Sequence, residues 1–376
     1  MSNLKESKRI PNLTPIRFLL ALLVVISHIS QFSENRGFPF FDDFSIFHKG
    51  IEAVYMFFSL SGFLIIKQLF VEKTHTNSIN LKFFYKKRIL RIFPLYYLVL
   101  TFGFLYYRLI LPFFGFEFEN NYDFLTGIFL SITFFPNIFS TSSPGGILEI
   151  LWSIGIEEQF YLFIAPLFLL LPLKRIILFL CVFTSIYFLI YFSEYLAFLE
   201  EYNMLFFYFS FGGLCSIIHS HNFFQILINK LRYPILLIFI IYFTTGIFKN
   251  NFNPFFYNLF SFILFGFAIS ILAIRPIKIL QNKMMDYLGK ISYGIYMYHS
   301  IIIQLVGLIY LKVISKFGFQ NKSDIIIINL SVITITIVVS HFSYKYYESY
   351  FLNLKRKNSI KQIVKTKTLP NNVYQK

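Results

Sequence analysis

Stretches of about nineteen residues with almost no charge recur along this sequence, from Leu13 nearly to Ser343. Each is long enough to cross roughly 30 Å of hydrocarbon as a helix, where every backbone N–H and C=O must be satisfied within its own segment. That constraint leaves an all-α, polytopic integral membrane protein as the fold class. Only 14% of residues are charged, against about a quarter in soluble domains, so a water-soluble globule is excluded. Apolar windows fall at about 13–31, 50–70, 92–112, 122–139, 151–172, 175–193, 203–219, 233–249, 255–274, 293–314 and 325–344. Cys181 and Cys215 both lie inside such windows, so no disulfide framework, Cys-based metal site or permanently bound cofactor is expected.

The net charge of +16, from 34 basic and 18 acidic residues, would suggest a nucleic-acid partner in a soluble protein. In a membrane protein it orients the chain, because Lys and Arg stay on the cytoplasmic side of short loops. With Lys5, Lys8 and Arg9 inside, the second window returns Lys73, Lys82, Lys86, Lys87, Arg88 and Arg91 to the cytoplasm. If 122–139 crossed fully, Lys174, Arg175, Lys230, Arg232, Arg275 and the Lys-rich tail would all fall outside. If it dips in and returns, broken at Pro136, they all come back. The expectation is therefore about ten transmembrane helices plus one re-entrant or interfacial segment, with both termini cytoplasmic. Residues 1–350 are expected to form one membrane domain, without a fused extracytoplasmic domain, and 351–376 a basic cytoplasmic tail against anionic lipid heads. No nucleic acid is expected as a partner.

Ionisable groups inside spans are costly and point to function. Arg17 and His28 are eleven residues apart, within about 20° of three full turns and roughly 16 Å along the axis, so they share one stripe of the first helix. In Trp152-Ser153-Ile154-Gly155-Ile156-Glu157-Glu158-Gln159-Phe160-Tyr161 two adjacent carboxylates enter hydrocarbon. Ser153, Glu157 and Tyr161 share one face at i, i+4 spacing. With the span opening at 151, Glu157 is expected at the depth of His28, where a histidine–carboxylate pair would suit general base catalysis on a hydroxyl. Arg88 and Arg91, at i and i+3, present two guanidinium groups suited to phosphates. Tyr296, His299 and Ser300 form a late polar stripe, while His341 and Glu348 read as a solvated or locally paired helix end.

Together these segments resemble a bacterial membrane family, acyltransferase family three, over residues 12–350. The carrying motifs are Arg17 with His28; Phe57-Phe58-Ser59-Leu60-Ser61-Gly62-Phe63; Arg88 through Tyr96; Trp152, Ser153, Glu157, Phe160 and Tyr161; and Ser292, Tyr293, Tyr296 and His299. The family's late Glu-x-Pro reads Glu348-Ser349-Tyr350 here. The resemblance implies a multi-pass protein of the bacterial inner membrane. It implies transfer of an acyl group, acetyl above all, from an acyl-CoA co-substrate to a hydroxyl of a surface carbohydrate or its lipid-linked precursor. On that footing His28 and Glu157 are the expected catalytic residues, and Arg17, Arg88 and Arg91 hold the donor. Trp152, Ser153, Glu158, Tyr296 and His299 are expected at the substrate. The alternative is a membrane carrier without its own chemistry, using the same charged groups for coupling. The oligomeric state is not legible in the sequence.

Overall fold

In the computed structural model the described residues, 10, 12–116, 122–312 and 322–354, form helices joined by short turns and loops, with no strand among them. Ten principal helices follow one another: α1 Leu13–Asn35, α2 Gly50–Thr76, α3 Leu81–Leu105, α4 Trp152–Leu170, α5 Ile176–Tyr191, α6 Phe206–Ile218, α7 Asn222–Thr244, α8 Pro254–Ile274, α9 Ser292–Lys312 and α10 Lys322–Phe342. Among the described residues nine helical stretches are long and apolar enough to cross a bilayer; α6, shorter at Phe206–Ile218, accompanies them. The basic tail beyond Leu354 and the cluster at Lys5, Lys8 and Arg9 lie outside the described residues.

The window at 122–139 does not form one helix. Asp123 accepts from the Thr126 N–H at 2.8 Å and caps a nine-residue helix, Phe124–Ile132. Phe134 then takes a left-handed φ of 64°, and Pro136 opens a five-residue helix ending at Ser140. Nine helical residues rise only about 13 Å, too little to span hydrocarbon, so the break at 133–136 leaves no single crossing helix in this window.

Among helices in lipid there is little hydrophobic gain on association, so close backbone approach supplies the packing. The α2/α6 contact depends on it. A Cβ on Gly62 would sit 2.0 Å from the Phe209 carbonyl oxygen, and one on Gly212 2.1 Å from that of Ser59. Glycine at these positions lets the two backbones touch. The centre of α2 is thereby held against α6, with Ser61 turned to the other side. Lys73, buried near the end of α2, donates to the Phe168 and Leu169 carbonyls at 2.6 and 2.9 Å. It satisfies two of the free carbonyls at the C-terminus of α4 and complements the helix dipole there. Tyr293 of α9 donates to Ile92 O (2.9 Å) and Tyr347 to Pro94 O (3.0 Å), tying α3 to the last two helices.

At the end of α10 the structure shows the locally paired form of the two the sequence left open. A six-residue π-helical turn, Ser343–Glu348, carries Glu348 inward to 8% exposure. It accepts from Ser343 Oγ at 3.1 Å, so Glu348 is locally paired but not solvated. His341 meets the Tyr287 hydroxyl at 2.6 Å.

Candidate active site

The site is assembled by α1, α2, α3, α4 and α9 around two adjacent cavities that share Arg17, Ser61, Glu157 and Tyr293 as walls. Arg88, Arg91 and Tyr161 complete the second cavity; Ser153, Tyr296 and Phe58 stand in the wall of the first. Six of the ten residues singled out by sequence thus line one or both of these adjacent cavities: Arg17, Arg88, Arg91, Ser153 and Glu157 on α1, α3 and α4, and Tyr296 on α9.

Arg17 forms no ion pair among the described residues, and its Nε is buried without a partner. Charged side chains within a span are costly and usually face a cavity. Arg88 is held more firmly. Its Nη2 donates to Gln68 Oε1 at 3.0 Å and its guanidinium lies 4.6 Å from the Phe84 ring centre. This packing fixes the group while its Nε remains buried and unpartnered.

Glu157 accepts from Ser61 Oγ at 2.7 Å and from the Tyr161 hydroxyl, both on Oε1. The other oxygen is left for whatever enters the cavity. The expected pairing of Glu157 with His28 does not form. Helices α1 and α2 run antiparallel, with Gly50 against Ser27, where a Cβ would approach to 2.7 Å. Eleven residues along α2 from Gly50 is Ser61; eleven back along α1 from Ser27 is Ile16. Ser61, and the carboxylate bonded to it, therefore lie level with Arg17, roughly 16 Å from the His28 level. The span containing Glu157 opens at Gly146 rather than at 151, which carries the carboxylate deeper than the sequence suggested.

His28 is paired instead with His299. Its Nδ1 lies 2.8 Å from His299 Nε2, and His299 Nδ1 in turn meets the Tyr296 carbonyl oxygen. The ring centres are 5.0 Å apart with 10° between planes. Rings stacked face to face could not bring two nitrogens so close, so the imidazoles lie edge to edge. His299 is fully buried while His28 is partly exposed. The pair sits one helical turn beyond the cavity wall at Tyr296, whose hydroxyl meets Ser153 Oγ at 2.5 Å and Ile150 O at 3.0 Å.

Trp152 and Glu158 line neither cavity. Trp152 packs edge-on against Phe58 at 5.8 Å, and Glu158 is buried at 6% exposure with Oε1 unpartnered. Ser61, Tyr293, Tyr161 and Gln68 belong to the site without having been given a role from sequence. The sequence signal for Ser61 is a hydroxyl in the middle of an apolar span; Tyr161 and Tyr293 lie within the polar motifs around Glu157 and Tyr296. Nothing in the sequence marked Gln68.

A family model described as "Acyltransferase domain" matches residues 10–344. The putative acetyltransferase ORF330 of Acidianus two-tailed virus is 29% identical over 282 residues, covering 70% of this chain and 77% of that protein. The peptidoglycan O-acetyltransferase OatA of Listeria monocytogenes is 27% identical over 338 residues, 79% of this chain and 50% of that protein. An uncharacterized Haemophilus influenzae protein is 32% identical over 125 residues, 32% of this chain and 49% of that protein. For the last two, then, the chain spans about half the relative's length. No solved structure is significantly similar to the chain.

Proposed function

The chain belongs to this acyltransferase family, and from that premise we propose that it moves an acetyl group from acetyl-CoA in the cytoplasm to a hydroxyl of a cell-envelope carbohydrate or its lipid-linked precursor. The observation that carries this reading is the pair of adjacent cavities sharing Arg17 and Glu157 as walls, with guanidinium groups at one end and a histidine pair beyond the other. Arg88 and Arg91, which the positive-inside rule assigns to the cytoplasmic surface, bind the donor's phosphates by charge-assisted bonds. The pantetheine arm follows the cavities past Arg17 and Glu157, whose opposed charges offer partners to its amides. Glu157 thus serves the donor arm, and Ser153 and Tyr296 border the thioester.

His28 acts as general base. The acceptor hydroxyl gives its proton to the imidazole as its oxygen attacks the thioester carbonyl carbon. The carbon–sulfur bond then breaks, and the departing thiolate takes the proton from His28 to leave as the free thiol. A positioned base of this kind contributes about 10²–10⁴-fold. Holding donor and acceptor on one stripe makes the step effectively intramolecular. The partial exposure of His28 supports an acceptor arriving from the outer side. No cofactor beyond the acyl-CoA co-substrate enters the scheme.

The test is mass spectrometry of surface polysaccharide from cells expressing the wild type or His28→Ala, with membrane insertion checked in both. An acetyl increment present only with the wild type supports the reading. The same increment with both proteins removes His28 as base, and none with either removes the surface-carbohydrate acceptor.

A further inference from the structure

We propose that His299 is a positioning residue that fixes the tautomer of His28, so that Nε2 of His28 is left without a proton and is the atom that accepts one from the acceptor hydroxyl. The inference rests on the reading of His28 as general base and adds a group to it.

The argument starts from an oxygen that can only accept. His299 Nδ1 lies against the Tyr296 carbonyl, so that nitrogen carries the proton. No carboxylate lies within 4.0 Å of either ring among the described residues, and His299 is fully buried, so both imidazoles are neutral. A neutral imidazole has one N–H, and His299 Nε2 is therefore a bare acceptor. Its 2.8 Å contact with His28 Nδ1 is a hydrogen bond only if His28 Nδ1 bears the proton. His28 Nε2 is then bare as well, and it meets no hydrogen-bond partner among the described residues.

In water the isolated side chain prefers its proton on Nε2, so the chain imposes the opposite state. The edge-to-edge rings, 10° from coplanar, aim the Nδ1–H of one along the lone pair of the other. Second-neighbour groups commonly set a histidine's working nitrogen in this way. A carboxylate is the usual choice, but an ionised carboxylate here would have to be carried into hydrocarbon. A second neutral imidazole, anchored to a backbone carbonyl, does the same job without a net charge. It also explains why Glu157 is free to stand about half a membrane away.

Two variants and two readouts test it. His299→Leu keeps volume and removes the acceptor; His299→Gln offers Oε1 near the place of Nε2. Histidine ¹⁵N labelling with solid-state NMR, His28 being assigned by difference from His28→Ala, should show a protonated Nδ1 and bare Nε2 in the wild type. The Leu variant should return His28 to the Nε2–H form, and the Gln variant should keep Nδ1–H. In membranes given radiolabelled acetyl-CoA, with label counted in alkali-labile esters of the host envelope glycan, His299→Leu should lose turnover by about 100-fold or more. The KM for acetyl-CoA should stay within about twofold, and Gln should recover at least about tenfold of the loss. An Nε2–H signal for His28 in the wild type, or equal turnover of the Leu and Gln variants, would overturn the proposal. If His28→Ala keeps full turnover, the base reading itself fails, whereas a dead His28→Ala beside a fully active His299→Leu removes only the role of His299.

Discussion

Replacing Gly62 by Ala tests the closest helix contact and the site at once. The added Cβ would meet Phe209 O at 2.0 Å, where ordinary contact begins at 3.4 Å, so about 1.4 Å must be found by difference. The obstacle is a carbonyl in the hydrogen-bond ladder of α6, which cannot turn aside alone, so the helices themselves must part. A gap of 0.5–1 Å already forfeits a quarter to a half of each dispersion contact, and overpacking of a tight interior costs about 1–3 kcal/mol. The expected destabilisation lies at the upper end, about 3 kcal/mol. Ser61 moves with its helix, and a shift above 1 Å breaks its 2.7 Å bond to Glu157. Misplacement of that size can cost about 10²-fold in rate. The assay is thermal stability by detergent size-exclusion, with acetyl incorporation measured on the surviving folded fraction. Gly146→Ala is the control, since its new methyl would find only the end of the Gln304 side chain, at 3.8 Å. If Gly62→Ala matches Gly146→Ala in both stability and specific activity, the argument from backbone contact is wrong.

Arg88→Ala and Arg17→Ala should raise the KM for acetyl-CoA by about 10–100-fold each, the worth of one or two hydrogen bonds to a charged group; initial rates against donor concentration check this, and unchanged KM values would remove the donor assignment. Glu157→Gln, which alters the carboxylate bonded by Ser61 and Tyr161, should cut turnover more than Glu158→Gln, which lines neither cavity; equal losses would contradict it. His219, just past α6, accepts at Nε2 from Lys67 at 2.9 Å, and burial together with that lysine holds it below the ordinary histidine range. The unfolded chain then takes up a proton that the folded one resists, so apparent stability should fall as pH drops below about 6.5. His219→Gln should flatten that dependence; a melting profile as steep as the wild type's would rule the group out. His341→Ala, at a residue that lines neither cavity and pairs with Tyr287, should leave turnover within about twofold, and an inactive but inserted variant would show that the site extends to the end of α10.

Much of the site was legible because in a membrane the rare polar side chain must be explained. Arg17, Ser153, Glu157 and Tyr296 stood out against apolar neighbours, Arg88 and Arg91 by their i, i+3 spacing, and all six line the two adjacent cavities. The break at Pro136 was legible for a different reason: only one threading kept the basic clusters on a single side. Glu157 was assigned to the wrong neighbour because helical periodicity gives the face of a side chain and not its depth relative to another helix. That depth depends on where the span begins, and the extra turn at Gly146–Glu149 carries no mark in the sequence.

What the sequence determined alone was the solvent, the helical class and the inventory of charged groups allowed inside, because the cost of an unsatisfied backbone or ion in hydrocarbon leaves few alternatives. Tertiary structure decided which of those groups meet. The registers of α1, α2 and α9, set by glycine-sized contacts such as Gly62 on Phe209 and Gly50 on Ser27, bring His28 to His299 across 271 positions of chain. They set Glu157 beside Ser61 and Arg17 instead. Such contacts are settled by fractions of a helical turn between neighbours, and no single helix contains that information.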